Sequence, residues 1–191
     1  MKKKEQICLC SSSPSRALLL EKFGVDFIQK SPDFDEDLIA TNEAKNFVYT
    51  ASKGKLEAGV KEFGLDTPLL CADTVIAASD GTILRKAKDI DDARRILKIQ
   101  SGSTIAIISS VHFRSKKLLF TDISATYYQF APFDENELES YLQSGLWEGK
   151  AGGCMVEGFC RKYIRSVKGL ESTAMGLQVE KLLPWIGELN V

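Results

Sequence analysis

Histidine is almost missing from this chain: His112 is the only one in 191 residues, and it stands in a strand-like run. A single imidazole excludes a multi-histidine metal centre and nearly excludes a His-based triad, so a satisfied structural histidine is expected. No charge of one sign prevails. With 25 basic against 26 acidic side chains and a formal net charge of -1, no global field would collect duplex nucleic acid or an anionic membrane. A small ligand is the expected partner, and the cations that meet it must be local. Long apolar runs are absent too. None approaches the roughly 18 residues of a membrane span, and Met1-Lys2-Lys3-Lys4 leads into a short strand rather than a signal-peptide core. A cytoplasmic location is therefore expected. The cysteines Cys8, Cys10, Cys71, Cys154 and Cys160 form no C-x-x-C pair, and all five are expected as reduced core residues rather than zinc ligands.

A single domain of this size buries about 70% of the surface its unfolded chain exposes, and no linker, repeat or low-complexity tract divides residues 1–191. The centre of the chain is Leu69-Leu70-Cys71-Ala72-Asp73-Thr74-Val75-Ile76-Ala77-Ala78, an almost wholly apolar run. Such a run predicts a strand buried on both faces, where a carboxylate has no ordinary use. Either Asp73 ends that strand and turns onto backbone donors, as Thr74 could, or it opens into a cleft to hold a metal or take a proton from water.

Ahead of it, residues 5–10 read as a strand, followed by Ser11-Ser12-Ser13-Pro14-Ser15-Arg16 and a helix closed by Gly24. Strand, polar turn and helix aim backbone N–H groups and a positive dipole end at an anion. The Ser11 and Ser13 hydroxyls with Arg16 would complete a phosphate cradle, although no Gly-rich Walker pattern is present and the turn could simply cap its helix. Residues 25–29 form a second strand leading to Asp33-Phe34-Asp35-Glu36-Asp37, either a solvated loop or oxygen ligands for a hard cation.

Apolar residues recur at helical spacing over 42–62, a helix that also carries Lys53 and Lys55. Beyond Asp73, the Asp80-Gly81 turn makes a hairpin, and Arg85-Lys86-Ala87-Lys88 gathers three cations near the far end of the Asp73 strand. A helix over 89–99, antiparallel strands over 104–113 and 117–130, and a helix over 134–145 follow. The glycine-dense loop around Lys150 is either an ordinary turn or a place where backbone approaches a ligand. Residues 155–159 read as a strand edge holding Glu157, residues 163–168 as a strand, and the final helix ends near Pro184.

The combination resembles the Maf-like nucleoside triphosphate pyrophosphatases over nearly the whole chain. The family's S-x-S-P-R-R is represented by Ser11 to Arg16, its D-E pair by Asp35-Glu36, its helical K-A by Lys53-Gly54, and its A-D-T-V by Ala72-Asp73-Thr74-Val75. Arg85-Lys86-Ala87-Lys88-Asp89, Gly149-Lys150-Ala151-Gly152 through Glu157-Gly158-Phe159, and Met175-Gly176-Leu177-Gln178 match the later motifs. The resemblance implies an α/β fold, a mixed twisted sheet with flanking helices forming two lobes around a cleft, as in Maf and inosine triphosphatases. It also implies metal-dependent cleavage of a nucleoside triphosphate to monophosphate and pyrophosphate, in a nucleotide-pool cleaning role. Asp73 would ready water and share a Mg2+ or Mn2+ ion with Glu36. Lys53, Lys86 and Arg16 would neutralise the triphosphate, Ser11 would help position it, and a homodimer is implied as well. Ser15, Thr74 and Glu157 occupy positions that tune substrate choice in the family. Ser15 replaces the first arginine, Glu157 a glutamine, and Ala87 and Gln178 two prolines, so a shifted specificity is expected, leaning to a guanine-type base such as 7-methylguanine. The alternative is a catalytically weak nucleotide-binding regulator of cell division.

Overall fold

The computed structural model describes residues 6–187. Residues 1–5, including Glu5 at the expected start of the first strand, and residues 188–191 lie outside the described residues. In chain order the elements are β1 (Ile7–Cys10), α1 (Pro14–Lys22), β2 (Phe27–Lys30), α2 (Ala44–Phe63), β3 (Leu69–Ala77) and β4 (Ile83–Leu84). Then come α3 (Ile90–Gln100), β5 (Thr104–Arg114), β6 (Leu119–Phe130), α4 (Glu135–Gln143), β7 (Ile164–Lys168), α5 (Glu171–Ala174) and α6 (Val179–Gly187). The strands join one mixed sheet in the order β2-β1-β3-β5-β6-β7, with β4 added to β3. No helix among the described residues is long and apolar enough to cross a membrane.

β3 sits at the centre because it is apolar on both faces, yet its two edges differ. Along one edge it pairs antiparallel with β5 over its full length, from Leu69↔Arg114 to Ala77↔Ala106. Along the other, β1 pairs only as far as Leu70 and β4 begins only at Ile76. Asp73 and Thr74 lie in the gap. Asp73 therefore does not end the strand, and the site opens at mid-strand rather than at a strand terminus.

Alternation along β3 divides the two polar residues between faces. On one face Leu70, Ala72, Val111 and Phe113 pack against α1 and α6 residues, while Ile76, Ile105 and Ile107 join a second cluster with α3 and α4. Thr74 and its cross-strand partner Ser109 interrupt that face, and this polar break separates its two apolar clusters. The other face lies under α2, whose Phe47, Val48, Ala51 and Leu56 meet Val75, Ile108, Leu69 and Cys71. Asp73 points to that side.

His112 is buried beneath α2, with Ser52 Oγ 3.0 Å from Nδ1 and the Tyr49 ring beside it. Burial lowers its pKa to about 4, with Lys53 pushing the same way. Unfolding releases an imidazole of ordinary pKa near 6.5. The unfolded chain thus binds more protons between those values, and His112's contribution to stability is whole above pH 6.5 and lost as pH falls through about 4. The expected loss is about 3 kcal/mol. Chemical denaturation of the natural chain and of His112→Gln between pH 4 and 7 checks it, the variant showing the flatter profile.

Three elements differ from the sequence reading. Cys154 and Cys160, expected as thiols, are joined by a disulfide, so only Cys8, Cys10 and Cys71 are free and buried; the absence of a C-x-x-C pair does not exclude a bond across a separation of 6 residues. Residues 155–159 are not a strand edge but a turn leading into a 3-10 helix at Phe159–Tyr163, because Gly152 and Gly153 take positive φ and bend the chain before it can pair. The last helix runs through Pro184 to Gly187 instead of ending there.

Candidate active site

Two cavities meet at the open edge of β3. The smaller, about 320 Å3, is lined by Ser11, Ser12, Ser13, Arg16, Glu36, Lys55 and Asp73 together with Cys10 and Phe34. The larger, about 390 Å3, holds Ser13, Ser15, Thr74, Lys150 and Glu157 between apolar walls that include Ile76, Ile107, Phe130 and Met175. Ser13 lines both. A polar chamber thus opens beside a mainly apolar one, which is the division a charged tail attached to a flat ring would require.

Lys55 Nζ lies 2.7 Å from Asp73 Oδ1 and 2.5 Å from Glu36 Oε1. Helix geometry explains the choice of lysine. The sheet-facing stripe of α2 runs through Phe47, Val48, Ala51 and Ser52, and one more turn brings Lys55 over Asp73. Lys53 lies about 200° around the helix from it, half-exposed and paired with Glu57. Lys53, expected to help neutralise the triphosphate, therefore lies outside the Asp73 chamber and borders a separate hollow with His112. Glu36 reaches Lys55 from a one-turn 3-10 helix whose approach depends on Gly54: a Cβ there would stand 2.2 Å from the Phe34 ring. A glycine inside a helix costs about 1 kcal/mol against alanine, and here it lets the acidic loop dock.

Burial raises the pKa of Asp73, Lys55 and Arg16 pull it back down, and Glu36 raises it further. Its Oδ2 is buried and has no hydrogen-bond partner among the described residues. An orphaned carboxylate oxygen at a cavity wall is costly unless a ligand, proton or cation completes it. Cys10, whose residue also lines this chamber, is an unpromising nucleophile, because a hydrogen bond with Cys71 and burial both push its thiol up.

Arg16 ties the first turn to the rest of the site. Its guanidinium donates to Ser11 Oγ at 3.0 Å, Thr74 Oγ1 at 3.1 Å and the Gly176 carbonyl at 2.9 Å. Gly176 is glycine for two reasons: its φ is +100°, and a Cβ would stand 3.1 Å from Thr74 Oγ1 and 3.3 Å from Arg16 Nε. Burial works against the Arg16 charge, and Asp73 and Glu36 support it. Ser13 caps α1 by accepting from the Arg16 N–H, and the Gln29 amide donates to the Ser11 carbonyl at 2.6 Å. The turn that caps α1 is therefore also a wall of the polar chamber.

Lys86 is exposed; its backbone bridges Ala151, and among the described residues its side chain makes no ion pair. The structure does not bring it to Asp73. Lys150 donates to the Leu146 carbonyl at the edge of the larger cavity. Glu157 is exposed at that cavity's rim. Beneath Thr74 lies a network that joins two motif residues, Thr74 and Gln178, to Ser109 and Asp122, which no motif singled out: Ser109 Oγ lies 2.8 Å from Thr74 Oγ1, and the buried Gln178 amide donates to the Ser109 carbonyl at 3.2 Å and to Asp122 Oδ2 at 3.0 Å.

The profile of a family described as Maf-like protein matches residues 6–189. The chain belongs to that family. Among its relatives, a nucleoside triphosphate pyrophosphatase of Nitratiruptor sp. is 53% identical over 178 residues, covering 92% of this chain and 96% of that protein. Proteins of the same name from Helicobacter pylori strain G27 and Campylobacter jejuni are 38% and 36% identical, covering 93% and 94% of this Maf-like chain and 93% and 100% of theirs. A solved structure, the Ham1 protein of Staphylococcus aureus, superposes with a TM-score of 0.47 at 13% identity, covering 66% of this chain and 72% of that one.

Proposed function

We propose that this Maf-like protein hydrolyses nucleoside triphosphates to monophosphates and pyrophosphate, with the triphosphate in the polar chamber and the nucleoside in the apolar one. The observation that carries the reading is the orphaned Asp73 Oδ2, set among Lys55, Glu36 and Arg16 in a chamber that opens on a base-sized cavity. Asp73 accepts a proton from the attacking water; its raised pKa makes it a stronger base than an exposed carboxylate. Arg16 and Lys55 offset the charge that gathers on the departing pyrophosphate, which is the largest contribution available where the protein supplies no covalent nucleophile. Ser11 and Gln29 keep the first turn in place while this happens.

A divalent cation, Mg2+ or Mn2+, suits the donor set. Asp73 and Glu36 would hold it, and since no cluster of three His, Cys, Asp or Glu stands ready among the described residues, phosphate oxygens and water would complete its shell. When bound, it would neutralise phosphate charge and lower the pKa of water. Lys55 already spans the two acids, so its ammonium would share them with the ion.

The base is of the guanine type, 7-methylguanine included. An ionised Glu157 only accepts hydrogen bonds and matches the two donors on a guanine edge, whereas the glutamine usual in the family suits the mixed edge of uracil or thymine. Rates of pyrophosphate release from 7-methyl-GTP, GTP, UTP and dTTP test this. The guanine-type substrates should lead, and Glu157→Gln should move the kcat/KM ratio toward the pyrimidines by about tenfold, the worth of one hydrogen bond to a charged group. A clear pyrimidine preference in the natural chain rejects the Glu157 argument.

A further inference from the structure

The base chamber's outer wall is the segment from Cys154 to Cys160. Cavities flank it on both sides: the 390 Å3 chamber, and a second of about 500 Å3 bordered by Tyr128, Arg161 and Val167. Val156 and Glu157 line both. Within the wall Val156 is partly buried against the core, while Met155, Glu157 and Gly158 are exposed and draw little support from packing. Backbone bonding adds little either: the Gly158 N–H donates to the Met155 carbonyl at 3.0 Å inside the loop, the Arg161 N–H donates to the Gly158 carbonyl at 3.1 Å where the 3-10 helix begins, and among the described residues no backbone hydrogen bond ties 154–158 to a strand or an α-helix. Phe159 stacks on Tyr141 with centroids 4.5 Å apart, anchoring one end only. The other fixed point is the disulfide, both of whose cysteines are buried in the core between α3 and α4.

Resting on the function proposed above, we infer that the Cys154–Cys160 bond is a redox-responsive positioning element for Glu157. Closed, it sets the base-reading wall; opened by a dithiol, it frees the wall and relaxes discrimination between bases. The step is an ordinary exchange. A thiolate of the dithiol attacks one sulfur, its second thiol resolves the mixed disulfide, and two electrons and two protons leave two cysteine thiols and an oxidised dithiol. Cys154 lines the chamber and Cys160 is fully buried, so Cys154 is the sulfur within reach, and a bound nucleotide covers it.

The test compares the natural chain, purified without reductant, before and after dithiothreitol. Thiol titration of the denatured, unreduced protein should count three thiols, in line with the three free cysteines. Reduction should lower the guanine-to-pyrimidine kcat/KM ratio about fivefold, within the reach of a single pocket contact, with the change in KM rather than kcat. An α,β-methylene guanosine triphosphate analogue should slow the reduction. The Cys154→Ser/Cys160→Ser double variant should show the relaxed ratio with or without dithiothreitol; if it fails to fold, the comparison on the natural chain decides. Dissociation constants of α,β-methylene guanosine and uridine analogues, read in both redox states, give the same ratio without turnover. Absence of pyrophosphate release in both states would thus sink the proposed function while those constants still decide the inference. Five thiols in the unreduced protein, or one ratio in both states, overturns it.

Discussion

Asp73→Asn is expected to cut pyrophosphate release by about a thousandfold, the middle of the range for removing a general base, while the protein stays folded. The amide keeps the volume of the carboxyl and can still meet Lys55, which retains Glu36 as a partner at 2.5 Å. Removing a charge that burial already disfavours should leave the melting temperature unchanged or raise it. Nucleotide affinity should survive because Arg16 and Lys55 remain. Loss of turnover with retained binding separates a catalytic Asp73 from a structural one, and equal turnover in the two proteins would remove Asp73 from the mechanism. Tight binding without turnover in the natural chain as well would instead favour the regulator.

The second large effect belongs to Lys55. Lys55→Met removes the ammonium that spans Asp73 and Glu36 and is expected to lower kcat/KM by at least about a hundredfold, as loss of an electrostatic contact to the transition state does. Lys53→Ala, on the same helix but paired outward with Glu57, should change it less than about twofold, as surface substitutions do. Stability carries a further signature. Without Lys55 the Asp73 carboxyl loses its nearest cation and its pKa rises further, so the folded state binds a proton the unfolded chain releases. The stability lost in Lys55→Met is then smaller at pH 5 than at pH 8, since lowering the pH favours the uncharged carboxyl. Thermal melts of both variants across that range measure it.

The contrast between the two lysines shows where the sequence could be read and where it could not. The α2 stripe through Ala44, Phe47, Val48 and Ala51 is visible in the sequence, and extending it by one turn reaches Lys55; motif matching alone had favoured Lys53. The central strand and its buried acid were legible because a carboxylate among apolar residues demands a partner. What placed the opening at mid-strand was pairing: β1 stops beside Leu70 and β4 starts beside Ile76, and such a gap leaves no mark on local composition. Gln178 shows a similar limit. Its amide fills a buried polar slot between Ser109 and Asp122, partners more than fifty residues away. The Cys154–Cys160 bond was hidden for another reason, since five cysteines admit many pairings and spacing alone selects none. Phosphate cradle and helix cap were rival readings of Ser11 to Arg16, and the structure shows the capping serine in the wall of the polar chamber.

The central claim is that the Asp73 chamber cleaves a triphosphate between its α and β phosphates. Phosphorus NMR of the products formed from GTP with Mg2+ tests it directly, run beside Asp73→Asn. The account predicts GMP and pyrophosphate in equal amounts from the natural chain and almost none from the variant. GDP and inorganic phosphate as the products, or the same yield from both proteins, would contradict it.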